Sequence, residues 1–372
     1  MQSRIFILMK IKILDIINRL YEIQLAEMEL KAFGLRDVKF NLADLEFEAE
    51  DNEAIKNKII KRGAWFEQVD NKKTIIFSIL EMNRRILRKY ADLWFSHFVY
   101  PMKARMRPTV ARSLINICNP DDNGCILDPF TGSGTTNVEA FLMELPSIGV
   151  DINPFYLDMI KAKIDFYFKK LYFNTSDMWI KLNFSPEDMV KKMLTNCHPL
   201  ISIIYAYAKY LHFPDPEKAF IRKCEEIKQM QNIFCDFQKE HNLQLKNNVE
   251  IIQKDCAKIT VNDFQNDITA IVTSPPYSNA LDYLKENKAP PEIYDTEPLK
   301  PLYKATKNLD IFLEESKKWL QAIYDVLMPG RKCAIIIGNQ RRKNEVIPIV
   351  DYYIKMAEKI GFKFEREIKQ LI

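Results

Sequence analysis

The stretch Asp128-Pro-Phe-Thr-Gly-Ser-Gly-Thr-Thr136 constrains this chain more than any other. An apolar strand pattern, Cys125–Leu127, runs into it, and a helical pattern from about Thr135 to Glu144 leaves it. A second strand pattern, Ser147–Ile152, follows at once. Strand, tight turn, helix and strand in that rhythm predict a parallel α/β sheet. Glycine is otherwise scarce, with nine in 372 residues, so two within three positions mark special backbone geometry. Gly132 and Gly134 allow a tight turn and let backbone approach a ligand without a Cβ in the way. The helix start adds free N–H groups and a positive dipole end.

The turn lacks the GK[ST] of a phosphate-binding loop and the third glycine of a dinucleotide fingerprint. What fits is an amino acid joined to a nucleoside. Asp151, at the end of the next strand, suits the two hydroxyls of a ribose. Asp255, after the strand pattern Val249–Gln253, suits the amino group of an adenine, with Cys256 beside it. The candidate cofactor set is therefore Asp128, Phe130, Gly132, Ser133, Gly134, Thr135, Thr136, Asp151, Asn153, Asp255 and Cys256.

Further strands are expected at Ile268–Thr273, Lys332–Ile337 and Phe362–Ile368, with helices at about 309–327 and 345–360. Residues 155–246 break the rhythm: they are helical in pattern, aromatic-rich and far longer than an ordinary loop, and so predict a helical insertion. Residues 1–95 mix both patterns and read as a small α+β N-terminal domain. The α/β domain proper then comprises 96–154 and 247–372. Hydrophobic residues at 47% and charged residues at 28% are ordinary for a globular chain. No apolar run is long enough to span a membrane, and the start lacks a cleavable leader pattern, so a cytoplasmic protein is expected. The net charge of +4 permits a nucleic-acid partner without requiring one. Seven scattered cysteines with no CxxC spacing predict reduced thiols and no metal site.

A second motif, Thr273-Ser-Pro-Pro-Tyr277, follows an apolar strand. Its two prolines end the strand and stiffen the turn, projecting Ser274 and Tyr277 at the carboxyl edge of the sheet, where open α/β folds bind ligands. A hydroxyl and the Pro275 carbonyl can accept both N–H groups of an aromatic amine, with Pro276 fixing the turn. Tyr277 can stack on a base turned out of its helix.

Together, DPFTGSGTT and TSPPY resemble the cofactor and catalytic motifs of amino-group DNA methyltransferases and their RNA-modifying relatives. The stretch Pro101–Pro108 and the following TVARSLINI resemble that family's cofactor-covering helix. The resemblance covers about 98–370. It implies a Rossmann-like class I methyltransferase sheet, S-adenosylmethionine as methyl donor, and catalysis by Ser274, Pro275, Pro276 and Tyr277. Serine in the first motif position is the form typical of N4-cytosine DNA enzymes. Two departures stand out: no long target-recognition domain follows the catalytic half, and the pattern stops at the expected sixth strand where the family has a seventh. The N-terminal segments Leu25–Gly34 and Ile59–Phe66 resemble modules of archaeal tRNA guanine-N2 methyltransferases, which keeps RNA open as the alternative substrate. Candidate nucleic-acid contacts are Asn279, which with Asp282 and Tyr283 continues the catalytic motif, and Arg341, Arg342 and Lys343 in an expected loop after Ile337.

Overall fold

The computed structural model describes residues 8–17, 19–87, 93–102, 105–119, 124–171, 174–185, 187–196, 198–277, 289, 294–300, 308–342 and 345–369. The N-terminal part is an antiparallel sheet built from β1 (Leu8–Ile13), β2 (Lys39–Asn41), β3 (Glu46–Glu50), β4 (Phe66–Val69) and β5 (Lys72–Lys73), in the order β2-β3-β1-β4-β5. The apolar start of the chain is thus a central strand. β1 alternates exposed and buried residues, and Met9, Ile11 and Ile13 point into a core shared with α1 (Leu20–Ala32) and α2 (Glu53–Arg62). A third helix, α3 (Ile75–Leu87), leaves this core: Ile76, Ile79 and Leu80 pack with the helical insertion instead.

The second sheet is parallel: β6 (Cys125–Asp128), β7 (Ser147–Asp151), β8 (Val249–Gln253), β9 (Ile268–Thr273) and β10 (Leu327–Ile335), in the order β10-β9-β6-β7-β8. The chain enters at the middle, winds outward through β7 and β8, then returns to lay β9 and β10 on the other side of β6. This is the Rossmann-like α/β arrangement the motif order implies. The reversal puts a topological switch point between β6 and β9, whose carboxyl ends open a crevice. Strand alternation divides the core. Cys125, Leu127, Ile148, Val150 and Ile271 face α11 (Leu309–Val326) and α12 (Ile349–Ile360). Ile126, Ala270 and Val272 face α4 (Pro108–Cys118) and α5 (Thr135–Leu142).

The insertion carries helices and no strand among its described residues: α6 (Pro154–Phe168), α7 (Thr175–Phe184), α8 (Glu187–Asn196), α9 (Pro199–Tyr210) and α10 (Pro216–Glu240). Its aromatic residues form one core with Trp94–Tyr100 and α5. A buried polar chain joins the N-terminal module to this assembly. Glu29 Oε1 accepts from Asn116 Nδ2 at 2.8 Å, and Arg62 Nε donates to Asn116 Oδ1 at 3.1 Å. Arg112 Nε donates to the Arg62 carbonyl at 3.0 Å, and its NH1 to Glu139 Oε2 at 2.8 Å. Glu139 also accepts from Trp94 Nε1 at 3.0 Å and pairs with His97 Nε2 at 2.8 Å. Burial holds His97 down to about 4, so near neutrality its uncharged ring hydrogen-bonds Glu139 while Arg112 supplies the countercharge.

Two expectations are corrected. Phe362–Ile368 is not a strand: after α12 the described chain runs without ladder partners, and β10 is the exposed edge. Lys363, Glu365, Arg366 and Glu367 leave the segment too little apolar surface to be covered on both faces, and Phe364 is itself exposed. The expected loop carrying Arg341 and Arg342 is a short hairpin, β11 (Gln340–Arg342) pairing antiparallel with β12 (Glu345–Ile347). Lys343 lies outside the described residues.

Candidate active site

Asp128 ends β6 and Thr273 ends β9, side by side at the switch point. Thr273 Oγ1 donates to Asp128 Oδ1 at 2.7 Å, joining the glycine turn to the residue that precedes the Ser-Pro-Pro-Tyr segment. Asp128 also accepts the Phe130 amide at 3.2 Å. Its carboxylate is almost wholly buried with hydroxyl and amide partners only, and burial raises it to about 6. Asp151 ends β7 and accepts the amides of Gly132 at 3.0 Å and Asn153 at 2.9 Å. Burial, with Asp128 adding like charge, raises it too to about 6. Asp128, buried, and Asp151, half-buried, have no cationic partner among the described residues, which makes this end of the sheet favourable for positive charge.

Above these strand ends lies a cleft with a cavity volume of about 170 Å³. Its lining brings together Asp128, Phe130, Gly132, Ser133, Thr135, Thr136, Asp151, Asp255, Cys256, Ser274 and Pro276 from the sequence-derived set. Phe130 is anchored from behind by Trp319, edge to face at 5.1 Å between ring centroids. Asp255 accepts the Ala257 amide at 3.0 Å, which fixes its carboxylate at the end of β8. Ser274 sits half-buried, its Oγ 3.4 Å from the Ile336 carbonyl.

Some candidates lie elsewhere. Asn153 caps α6, its side chain accepting the Phe155 amide at 3.0 Å, and is not part of the lining. Gly134 is not part of the lining either; a Cβ there would fall 2.5 Å from Ile160 Cγ1, and its φ is +71°. Gly132, with φ +46°, is the glycine that faces the cleft, where a Cβ would meet Met102 Cε at 3.6 Å. Pro275 and Tyr277 follow β9 but do not line the cleft. Asn279, Asp282 and Tyr283 lie outside the described residues, and the hairpin places only the backbone of Arg341 and Arg342.

The lining also contains residues that no motif indicated: Met102, Arg105, Met106, Tyr156 and Lys254. Lys254 is engaged by both carboxylate oxygens of Asp263 at 2.6 and 2.7 Å. Met102 and Arg105 come from the segment linking Trp94–Tyr100 to α4, the stretch that resembles a cofactor-covering helix. Among the described residues no cluster of three His, Cys, Asp or Glu is arranged for a metal ion, and no helix is long and apolar enough to cross a membrane.

A protein-family model described as an RMKL-like methyltransferase domain matches residues 98–196, which span the cleft-covering segment, the cofactor turn and the start of the insertion. Three type II methyltransferases are similar over shorter stretches. M.HpaI of Haemophilus parainfluenzae is 32% identical over 81 residues, 20% of this chain and 26% of its own. M.ScaI of Streptomyces caespitosus is 39% identical over 62 residues, 17% and 20% of the two chains. M.MjaII of Methanocaldococcus jannaschii is 34% identical over 104 residues, 26% and 19%. The matched stretches thus span about a fifth to a quarter of these relatives' own length. Among solved structures, the rRNA methyltransferase aviRa of Streptomyces viridochromogenes aligns over 67% of this chain and 78% of its own, at 12% identity and a TM-score of 0.31. That likeness is too distant to bear on the fold or the function. The sequence matches are to type II methyltransferases and to a methyltransferase domain.

Proposed function

We propose that this protein transfers a methyl group from S-adenosylmethionine to an exocyclic amino nitrogen of a nucleic-acid base, with N4 of cytosine in DNA as the first target. One observation carries the reading: the glycine turn after β6 and the start of the Ser-Pro-Pro-Tyr segment after β9 are adjacent, hydrogen-bonded through Asp128 and Thr273, and Ser274 and Pro276 line the same cleft as the turn. The residues present fit the cofactor. Asp151 and Asp255 offer carboxylate oxygens at the ends of β7 and β8 for ribose hydroxyls and an adenine amino group. Phe130 and Ile152 offer apolar walls. Asp128, buried without a cationic partner among the described residues, suits a ligand bearing positive charge.

The bound cofactor would supply a methyl group on a sulfonium, an electrophile that needs no further activation. The chain's own task is to bring a weak nucleophile to it. The lone pair of an aromatic amine is delocalised into its ring. Acceptance of its N–H groups by Ser274 Oγ and the Pro275 carbonyl favours a pyramidal nitrogen whose lone pair points along the transfer line. Ser274 is a weak base, so the proton leaves to water after transfer. Holding the two reactants together supplies most of the rate. Tyr277 is assigned to stack on the extruded base.

RNA is the second reading, favoured by the N-terminal module joined to the cleft-covering segment through α4. Single-turnover transfer of labelled methyl groups to DNA and to RNA, by wild type and by Ser274→Ala, tests the shared cleft. The proposal expects Ser274→Ala to lose turnover on the preferred nucleic acid while S-adenosylmethionine affinity, read by calorimetry, stays near normal. Full activity in the variant on both nucleic acids would overturn the catalytic assignment.

A further inference from the structure

Met102, Arg105 and Met106 wall the cleft from a segment that is held at both ends. Upstream, buried Glu139 holds Trp94 and His97, and Arg112 of α4 supplies its cation, so this anchor lies wholly outside the N-terminal module. Downstream the chain enters α4 through Arg107, and there the partner comes from the N-terminal module itself. Arg107 NH1 donates to Glu22 Oε1 at 2.6 Å and to the Tyr21 hydroxyl at 3.3 Å, both on α1. Neither member of this ion pair is explained by its own helix. Arg107 is the N-cap of α4, a position that favours Ser, Thr, Asp or Asn; it makes no side-chain cap bond, and a cation is disfavoured at the positive end of a helix dipole. Glu22 Oε2 does cap α1, accepting the Arg19 amide at 3.2 Å, but an exposed glutamate would serve for that, and Glu22 is wholly buried. A buried carboxylate is costly unless it is paired, and Arg107 supplies a cation. Pro108 fixes φ at the first position of α4, so the backbone leaving Arg107 has little slack. Met106 and Arg105 stand one and two residues before that anchor.

We infer that Glu22 is a positioning residue for the cleft: through Arg107, the N-terminal module fixes the downstream end of the covering segment and so completes the cofactor site from outside the α/β domain. Glu22 touches no ligand. It acts through Arg107 on where Met106 and Arg105 stand. This rests on the S-adenosylmethionine reading and adds to it a requirement for a helix of the other module. Glu29, on the same helix, provides the contrast. It accepts from Asn116 at 2.8 Å, toward the other end of α4, and Asn116 does not line the cleft. Glu29 therefore ties the same two parts of the chain together without reaching the wall.

The test separates stability from binding. Denaturant unfolding, calorimetry with S-adenosylmethionine and steady-state methyl transfer at saturating nucleic acid are measured on wild type, Glu22→Gln and Glu29→Ala. Both substitutions should lower stability, since each breaks a buried polar contact between α1 and α4. Only Glu22→Gln should weaken S-adenosylmethionine binding, by about two- to thirtyfold, the range for residues that act on a site without touching its ligand. The loss should appear in KM for S-adenosylmethionine, with kcat near that of wild type. Arg107→Lys, which keeps the charge, should retain more affinity than Arg107→Met. Unchanged affinity in folded Glu22→Gln, or an equal loss in Glu29→Ala, would mean that the ion pair only joins the two modules, and would overturn the positioning role. Should Glu22→Gln not fold, the two Arg107 variants, at a partly exposed residue, carry the same comparison with Glu29→Ala. Failure of wild type to bind S-adenosylmethionine would overturn the cofactor reading itself, and the positioning role with it.

Discussion

Replacing Thr273 with valine removes one hydroxyl from a buried position and changes little else in shape. Thr273 is wholly buried, and its Oγ1 donates at 2.7 Å to Asp128, itself almost wholly buried. A hydrogen bond to an ionised group contributes about 1.5–3 kcal/mol. Its loss from the charged form of Asp128 corresponds to an upward displacement of about one to two pK units. The Thr136 hydroxyl and the Phe130 amide remain, which favours the lower end. Asp128 would then move from about 6 to roughly 7 or slightly above. Two consequences of opposite sign follow. Burial raises Asp128 and Asp151 above the ordinary carboxylate range. Their contribution to stability is therefore complete below that range and lost as pH rises through about 6. A ligand carrying positive charge binds the ionised carboxylates, so its affinity rises over the same interval. Calorimetric titration with S-adenosylmethionine from acid to mildly alkaline pH should show this rise in wild type. In Thr273→Val its midpoint should shift upward by about one pH unit, and Thr273→Ser should restore it. An unchanged midpoint in a folded valine variant would refute the claim that Asp128 is ionised in the bound state and held so by Thr273.

Three further outcomes are expected. Gly134→Leu should lower thermal stability sharply, since its Cβ would meet Ile160 Cγ1 at 2.5 Å, whereas Gly132→Leu, which carries only the strain of its φ of +46°, should cost the fold less and weaken S-adenosylmethionine binding; thermal melts with and without ligand separate the two. Arg112→Leu should destabilise the chain by about 3–5 kcal/mol, because it strips buried Glu139 of its cation, as denaturant unfolding would show. Alanine at Arg341, Arg342 and Lys343 together should flatten the salt dependence of nucleic-acid binding by up to about three phosphate charges, on duplex DNA and structured RNA alike; an unchanged slope would assign these cations to solvent.

The sequence announced the site where backbone geometry is punctuated. Glycines in Thr131–Thr136 and prolines in Ser274–Tyr277 leave local marks, and both turns fall at the carboxyl ends of adjacent strands. The helical insertion was equally legible, because so long a stretch without strand signals has few other ways to bury its aromatic residues. Non-local contacts left no such mark. Gly134 has no room for a side chain because of Ile160, a helix away. Arg105 and Tyr156 come from helical or irregular segments whose composition is that of any half-buried surface, and only folding brings them to the cleft. Thr273 reads as the last residue of an apolar strand until Asp128 is seen beside it. The misread strand at Phe362–Ile368 has the opposite cause: its apolar and charged residues suit a ladder, but alternation alone does not provide the neighbour that a strand needs.

The central claim is that the cleft joins a methyl donor to an exocyclic amine of a nucleic-acid base, and the identity of the modified nucleoside tests it most directly. The protein is incubated with S-adenosylmethionine carrying a deuterated methyl group and with DNA or RNA lacking prior modification, followed by digestion and mass spectrometry of the nucleosides. The account predicts label on the N4 nitrogen of deoxycytidine, or, for the second reading, on an exocyclic amine of cytidine or guanosine in RNA. Label on a ring carbon, on a ring nitrogen or on protein alone, or no label on either nucleic acid by a protein that binds the cofactor, would contradict it.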